Sequence, residues 1–277
     1  MAIVVAVAVL SLIPVAFIIS NSFMSDGEAA ARYTSKITPE SSFGFIYNNI
    51  HYMDMGFVPD VISLSAWRLI LAQDPTHLRF LWNSLILAIP IVLGQLIIAP
   101  LAAYGLERAK SKHKEKFFFA YIIIMLLPMQ ALLVPHFIMA EFLGISGNYA
   151  AIIFPAIFAT FGVFLIRQQM KGFRKEIIEA AAIDGAKELQ IFLRIVLPNI
   201  KPTLVALAVL TFAEAWNIVD QAVVFIRDPY QMPLSVHLST GLAGNMGIVF
   251  ALSTLLMLPA LIIFIYGQDD LSEGVIK

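Results

Sequence analysis

Cysteine is absent from the 277 residues, which excludes disulfides, thiolate metal ligands and a cysteine nucleophile. Charge is scarce. Only 13% of residues are Asp, Glu, Lys or Arg, against about 25% in a soluble globular domain. The formal net charge of −1 supplies no basic field of the kind that holds nucleic acid. No Gly-x4-Gly-Lys-Ser/Thr stretch occurs, so the chain has no phosphate cradle of its own for ATP. The five histidines, His51, His77, His113, His136 and His237, lack metal-ligand spacing, and no nucleophile–base constellation is visible. What is abundant is apolar side chain, 60% of the residues, with a mean hydropathy of +0.84. A chain of this length has too much water-facing surface to hide that much apolar area. Disorder and an ordinary water-soluble enzyme are excluded, leaving an all-α integral membrane protein.

Six runs approach the roughly 20 apolar residues that a spanning helix needs. They are Ala2–Ser20, Leu81–Leu106, Phe117–Phe142, Tyr149–Ile166, Pro202–Phe225 and Ile248–Tyr266. The first is read as an uncleaved span, because Ser20-Asn21-Ser22-Phe23-Met24 is a poor small-residue cleavage site; a signal peptide is the alternative. Pro128 and Pro135 mark a kink in the third. The basic residues are unevenly shared: the loops 106–116 and 167–201 hold 12 of the 18. Loop 141–148 has none, and loop 225–247 has only Arg227. Cytoplasmic loops carry the Lys/Arg excess, so the second and fourth loops, and with them both termini, are expected in the cytoplasm. The chain then divides into a first span (1–24), a long extracytoplasmic loop (25–80) and a five-helix core (81–277) with a cytoplasmic loop at 167–201. The long loop holds Phe43, Phe45, Tyr47, Tyr52, Phe57 and Trp67, too many aromatics for a disordered linker. Its segment Ser65–Gln73 suits a short amphipathic helix on the membrane surface. The loop serves either as a cap over the bundle or as a docking surface for an external partner.

The fourth loop carries the chemistry. Lys175–Asp184 is rich in helix formers, Asp184-Gly185 signals a turn, and Ala186–Leu197 resumes with an apolar stripe of Ile191, Val196 and the pair Leu193/Leu197. Pro198 and Pro202 end this second arm before span five. The prediction is a helix–turn–helix hairpin under the membrane. Ala180–Ala182 give it a flat face, and Glu179 and Asp184 offer carboxylates to a basic partner.

The spacing Glu179-Ala180-Ala181, Gly185, Ile195, Leu197-Pro198 resembles the EAA loop of ABC-importer permeases. Seven such fixed positions recur by chance on the order of 10⁻⁸ per starting site. Further segments resemble the carbohydrate branch, the maltose-type inner-membrane permease: Leu81-Trp82-Asn83-Ser84-Leu85, Leu101 to Arg108, Ile183-Asp184-Gly185 and Trp216-Asn217. The chain departs from that branch at Ile218-Val219-Asp220-Gln221-Ala222 and at Gln268-Asp269-Asp270. The resemblance implies a six-helix type I importer permease fold in a bacterial inner membrane. It implies ATPase coupling through Glu179, Ala180, Ala181, Asp184, Gly185, Ile195, Leu197 and Pro198. It also implies a second homologous permease, an ATPase dimer that binds the ATP and magnesium, an extracytoplasmic solute-binding protein, and a sugar or oligosaccharide substrate. No internal repeat is visible, so the path would form between two permease subunits. Permeases of the same fold for peptides, amino acids or anions, and an ion-driven carrier using Glu214 and Asp220, are the competing readings.

Polar residues inside the spans are expensive and should face a cavity or a partner. Glu214, Trp216, Asn217, Asp220 and Gln221 follow one another in span five. On a continuous helix Asn217 shares a face with Asp220 and Gln221, which predicts a polar stripe along the path; hydrogen bonding to a partner helix is the alternative. Asn83 and Ser84 are expected at the membrane boundary of span two, and Gln95 and Tyr104 in helix–helix hydrogen bonds.

Overall fold

The computed structural model describes residues 1–34, 56–172, 175–240 and 245–276; Phe43, Phe45, Tyr47 and Tyr52 lie outside them. In chain order the elements are α1 (Ala2–Asn21), α2 (Asp26–Ala29, continued by a π turn, Ala30–Thr34), α3 (Ser65–Arg68, continued by a π turn, Leu69–Gln73), α4 (Thr76–Arg108), α5 (Lys114–Met125), α6 (Met129–Phe142), α7 (Ala150–Ile157), α8 (Thr160–Lys171), α9 (Lys175–Ile183), α10 (Glu188–Ile191, continued by a π turn, Phe192–Val196), α11 (Leu197–Asn199), α12 (Lys201–Trp216), α13 (Asp220–Phe225), α14 (Leu234–Ser239) and α15 (Met246–Ile276). Among the described residues extended pairing is limited to one bridge, Met24 with Ile62.

Four stretches are long and apolar enough to span on their own: Ile3–Asn21, Thr76–Arg108, Ala150–Lys171 and Met246–Asp270. Counting each of two bent pairs as one span, α5 with α6 at 101° and Glu188–Asn199 with α12 at 73°, gives up to six. The expected spans therefore all have counterparts, but their ends and continuity differ. Span two starts at Thr76 rather than Leu81, because Pro75 leads into the helix and the Asp74 carboxylate accepts the Thr76 N–H at 3.0 Å. Span three breaks at Pro128, which has no N–H to continue the ladder and sits in extended backbone. Span four breaks where Ala159 turns extended, then runs on to Lys171. Span five stops at Trp216. There the Asn217 side chain donates to the Ala213 carbonyl at 2.9 Å, and the β-branched Ile218 and Val219 separate α12 from α13.

The chain forms two compact units. The first comprises Met1–Trp82 and Leu234–Pro259. Here α1 exposes nearly all its apolar side chains, as a lipid-facing helix does. Its C-terminal end is tied to the loop that follows α2. Ser63 N–H donates to the Phe23 carbonyl at 2.7 Å, and Glu28 accepts the Asp60 and Val61 N–H groups at 2.8 and 3.1 Å. The helix expected over Ser65–Gln73 forms, but its apolar face is not free for a membrane surface. Ala66 and Ile70 are buried against Phe80, Leu234, Ile248 and Leu252, which supports a capping role.

The second unit comprises Asn83–Pro233 and Ala260–Lys277. Its core joins α4, α8, the α10–α11 arm and α12 through Ala99, Ala103, Ile166, Ile191, Phe192, Val196 and Leu207. Gln95 is the polar joint: its amide donates to the Ala156 carbonyl at 2.9 Å and accepts from the Thr211 hydroxyl at 3.1 Å. Gly162 lets α8 approach, since a Cβ there would stand 3.0 Å from Ala99 Cβ and from Gln95 Oε1. Asn83 and Ser84 are buried, and Asn83 donates to the Tyr230 and Met232 carbonyls at 2.9 and 3.0 Å.

Candidate functional site: a hairpin and a cavity among broken helices

The predicted hairpin is present. Helix α9 ends in a Schellman closure: Gly185 N–H donates to the Ala182 carbonyl at 3.1 Å, and Ala186 N–H to the Ala181 carbonyl at 3.0 Å. Gly185 has φ +84°, a left-handed conformation that glycine adopts without penalty. The second arm begins with the Gln190 side chain accepting the Lys187 N–H at 2.9 Å.

Two details differ from the sequence reading. The π turn at Phe192–Val196 rotates the register, so the buried face is Ile191, Phe192, Val196 and Ile200, while Leu193 faces out. Pro198 does not end the arm; helix continues to Asn199, and the chain bends at Ile200. This is allowed because Pro198 lies in the first turn of a new helical segment.

Of the residues expected to couple to an ATPase, Glu179, Ala180, Asp184, Gly185 and Pro198 are exposed. Ile195, Leu197 and Ala181 are half-buried and pack against the core. The outer face of α9 forms a shallow depression lined by Glu176, Ile177, Ala180, Ala181 and Asp184. Ile183 beside it is 86% exposed. Small side chains, exposed isoleucines and a carboxylate rim make a surface fitted to a protein partner.

Sequence reasoning missed two charged clusters behind the hairpin. Glu188, at the start of α10, accepts the Tyr104 O–H at 2.5 Å and the Arg108 Nε–H at 3.3 Å, and pairs with Arg108 Nη2 at 2.5 Å. The Arg108 and Tyr104 donors hold the Glu188 carboxyl below the usual carboxylate range. Tyr104, expected in a helix–helix hydrogen bond, makes one to α10 of the hairpin. The second cluster centres on Arg167, which is fully buried in α8. Its Nη2 donates to Glu115 at 2.6 Å, its Nε lies 3.5 Å from Glu107, and its guanidinium sits 3.9 Å over the Phe118 ring. The available signal was charge opposite charge at adjoining helix ends, but only the packed helices show which acid meets which base.

Above the hairpin the second unit encloses a cavity of about 340 Å³. All three helix breaks reach it: Met125, Leu127 and Met129 from the first, Phe158, Ala159 and Thr160 from the second, Glu214, Ile218 and Gln221 from the third. Gln95, His136 and Thr211 complete its polar lining. The stripe expected along span five is therefore not helical. Because the helix breaks after Trp216, Asn217 is not on one face with Asp220 and Gln221; it turns back onto Ala213. Trp216 is buried and stacked on Phe212, so it packs rather than faces the cavity. Asp220 accepts a hydrogen bond from the Gln130 amide at 3.2 Å. Glu214 lines the cavity together with Gln221.

Comparison with known proteins agrees with this architecture. Residues 82–273 match the family described as binding-protein-dependent transport system inner membrane component. The chain is 32% identical over 222 residues to the arabinooligosaccharides transport system permease protein AraQ of Halalkalibacterium halodurans, covering 79% of this chain and 80% of that one. It is 31% identical over 208 residues to the lactose transport system permease protein LacG of Rhizobium radiobacter, covering 74% and 76%. In fold it is similar to a chain of a bacterial ABC transporter that imports the acidic polysaccharide alginate, with TM-score 0.75, 24% identity and 97% and 94% of the two chains covered. The chain belongs to the binding-protein-dependent transport system inner membrane components.

Proposed function

We propose that this chain is the sugar- or oligosaccharide-translocating permease subunit of an ABC importer, with α9 as the seat of a cytoplasmic ATPase. The observation that carries the coupling half is the exposed α9 face leading into the Gly185 turn, with Glu179, Ala180 and Asp184 exposed. Both termini then lie in the cytoplasm, as the Lys/Arg-rich loops 106–116 and 167–201 require. A second homologous permease completes the path, two ATPase subunits bind ATP and magnesium, and a solute-binding protein delivers substrate from outside.

The cavity supports a neutral polyhydroxylated substrate. Its described lining has amides, hydroxyls, one imidazole and one carboxylate, Glu214, with no Lys or Arg to hold an anion. Relatives named for arabinooligosaccharides and lactose support a sugar as the substrate. Discontinuous helices suit such a site, since their unwound backbone exposes polar groups at membrane depth without facing lipid. ATP-driven closure of the ATPases would move α9 as a rigid body, and the packed α10–α11 arm would carry that motion to α4, α8 and α12. The deciding experiment is tagged co-purification of the chain from its native membrane, followed by ligand binding on the soluble partner recovered. A sugar-binding protein and an ATPase are expected. An amino-acid, peptide or phosphate binder would overturn the substrate, and uptake that survives ATP depletion would overturn the class.

A further inference from the structure

We propose that Glu188 is the positioning residue that latches the hairpin to α4 and so transmits the coupling stroke to the cavity wall. The inference rests on the coupling role given above to α9. Helix α9 itself is weakly held: among its described side chains only Ile178 and Ala181 are half-buried against the core. After the Gly185 turn, the first directional tie to the bundle is the Glu188 carboxylate, with its three donors on Tyr104 and Arg108. Those two residues stand four apart on α4, one above the other on the same face.

Apolar contacts behind them, such as the Tyr104–Phe192 ring pair at 5.2 Å, are non-directional and permit sliding. A forked guanidinium–carboxylate pair fixes register as well as distance. The end of α4 is also where the bundle is gathered, because Glu107, next to Arg108, faces Arg167 of α8, which holds Glu115 of α5. The same α4 carries Ile91 and Gln95 into the cavity wall. Gln95 lies roughly 13 Å along the helix from Tyr104 at 1.5 Å per residue. One helix thus joins the hairpin tie to the cavity.

The absence of native cysteine makes the test direct. In the assembled complex, Ala180→Cys should cross-link to the ATPase, and Ile91→Cys should react with a water-soluble maleimide at a rate that ATP with vanadate changes at least fivefold. Glu188→Ala should reduce that change below twofold while the Ala180→Cys cross-link persists. The charge exchange Glu188→Arg with Arg108→Glu should restore at least half of it. An unchanged ATP response in Glu188→Ala, a charge exchange that restores nothing, or loss of the cross-link together with the response would each overturn the latch; the last would make Glu188 a residue that merely keeps the hairpin folded. No cross-link in the parent chain would instead sink the coupling role of α9, and the latch with it.

Discussion

Single residues set the tolerances of the hairpin and of the first unit. Gly185 has open space around its Cβ position, so sterics within the fold do not demand glycine there; its φ of +84° does. A residue with a side chain pays about 1–2 kcal/mol in that region, and a β-branched one more. Gly185→Val is therefore expected to lower transport-coupled ATPase activity at least tenfold in vesicles while the amount of chain in the membrane, read by immunoblot, stays level. His237 is a second sensitive residue. Its ring lies 4.2 Å from Phe80 and 5.5 Å from His77, and His77 Nε2 lies 3.7 Å from Asp74. Burial, and then the His77 charge, push the His237 pKa below its ordinary value, against a smaller opposing pull from Asp74. A depressed folded pKa means that the neutral ring is favoured on folding. That stability is complete above about pH 6.5 and is lost as pH falls through the folded value. The melting temperature of the solubilised chain should drop between pH 7 and pH 5, and His237→Phe should flatten the drop.

At the scale of elements, the breaks matter more than the spans. Three interrupted helices bring backbone ends and polar side chains to one cavity, which no continuous apolar helix does. The break at Asn217 decides which polar residues of span five face it. Glu214→Gln and Gln221→Ala are each expected to change the KM for the transported sugar severalfold. Asn217→Ala, outside the cavity lining, should change it less than twofold. Equal effects at all three positions would return the path to a stripe on a straight helix. The hairpin shows the same principle: its π turn, not the apolar stripe of an unbroken helix, sets which side of α10–α11 is buried.

At the scale of the whole molecule, the uneven distribution of charge is what the proposed orientation rests on. It puts the basic loops 106–116 and 167–201 in the cytoplasm and loop 141–148, with no Lys or Arg, outside. In sealed right-side-out vesicles, Leu143→Cys, 60% exposed, should be labelled by an impermeant maleimide. Ala182→Cys, exposed on the hairpin, should be labelled only after permeabilisation. Labelling in the reverse order would invert the topology.

The sequence by itself determined the membrane class, the six apolar runs, the hairpin and its glycine turn. Each of these rests on local chemistry: run length, proline and glycine placement, and the fixed spacing from Glu179 to Pro198. Tertiary structure alone decided what the isolated polar residues do. Trp216 and Glu214 lie two positions apart, yet one packs against Phe212 and the other lines a cavity. Arg167, at the start of an apparently solvated loop, is buried between two acids and an aromatic ring. Periodicity assumes an unbroken helix, and a helix ends where backbone groups find better partners elsewhere, as Asn217 does on Ala213. Long-range pairs such as Tyr104 and Arg108 with Glu188 have no sequence spacing at all, because packing, not the chain, brings them together.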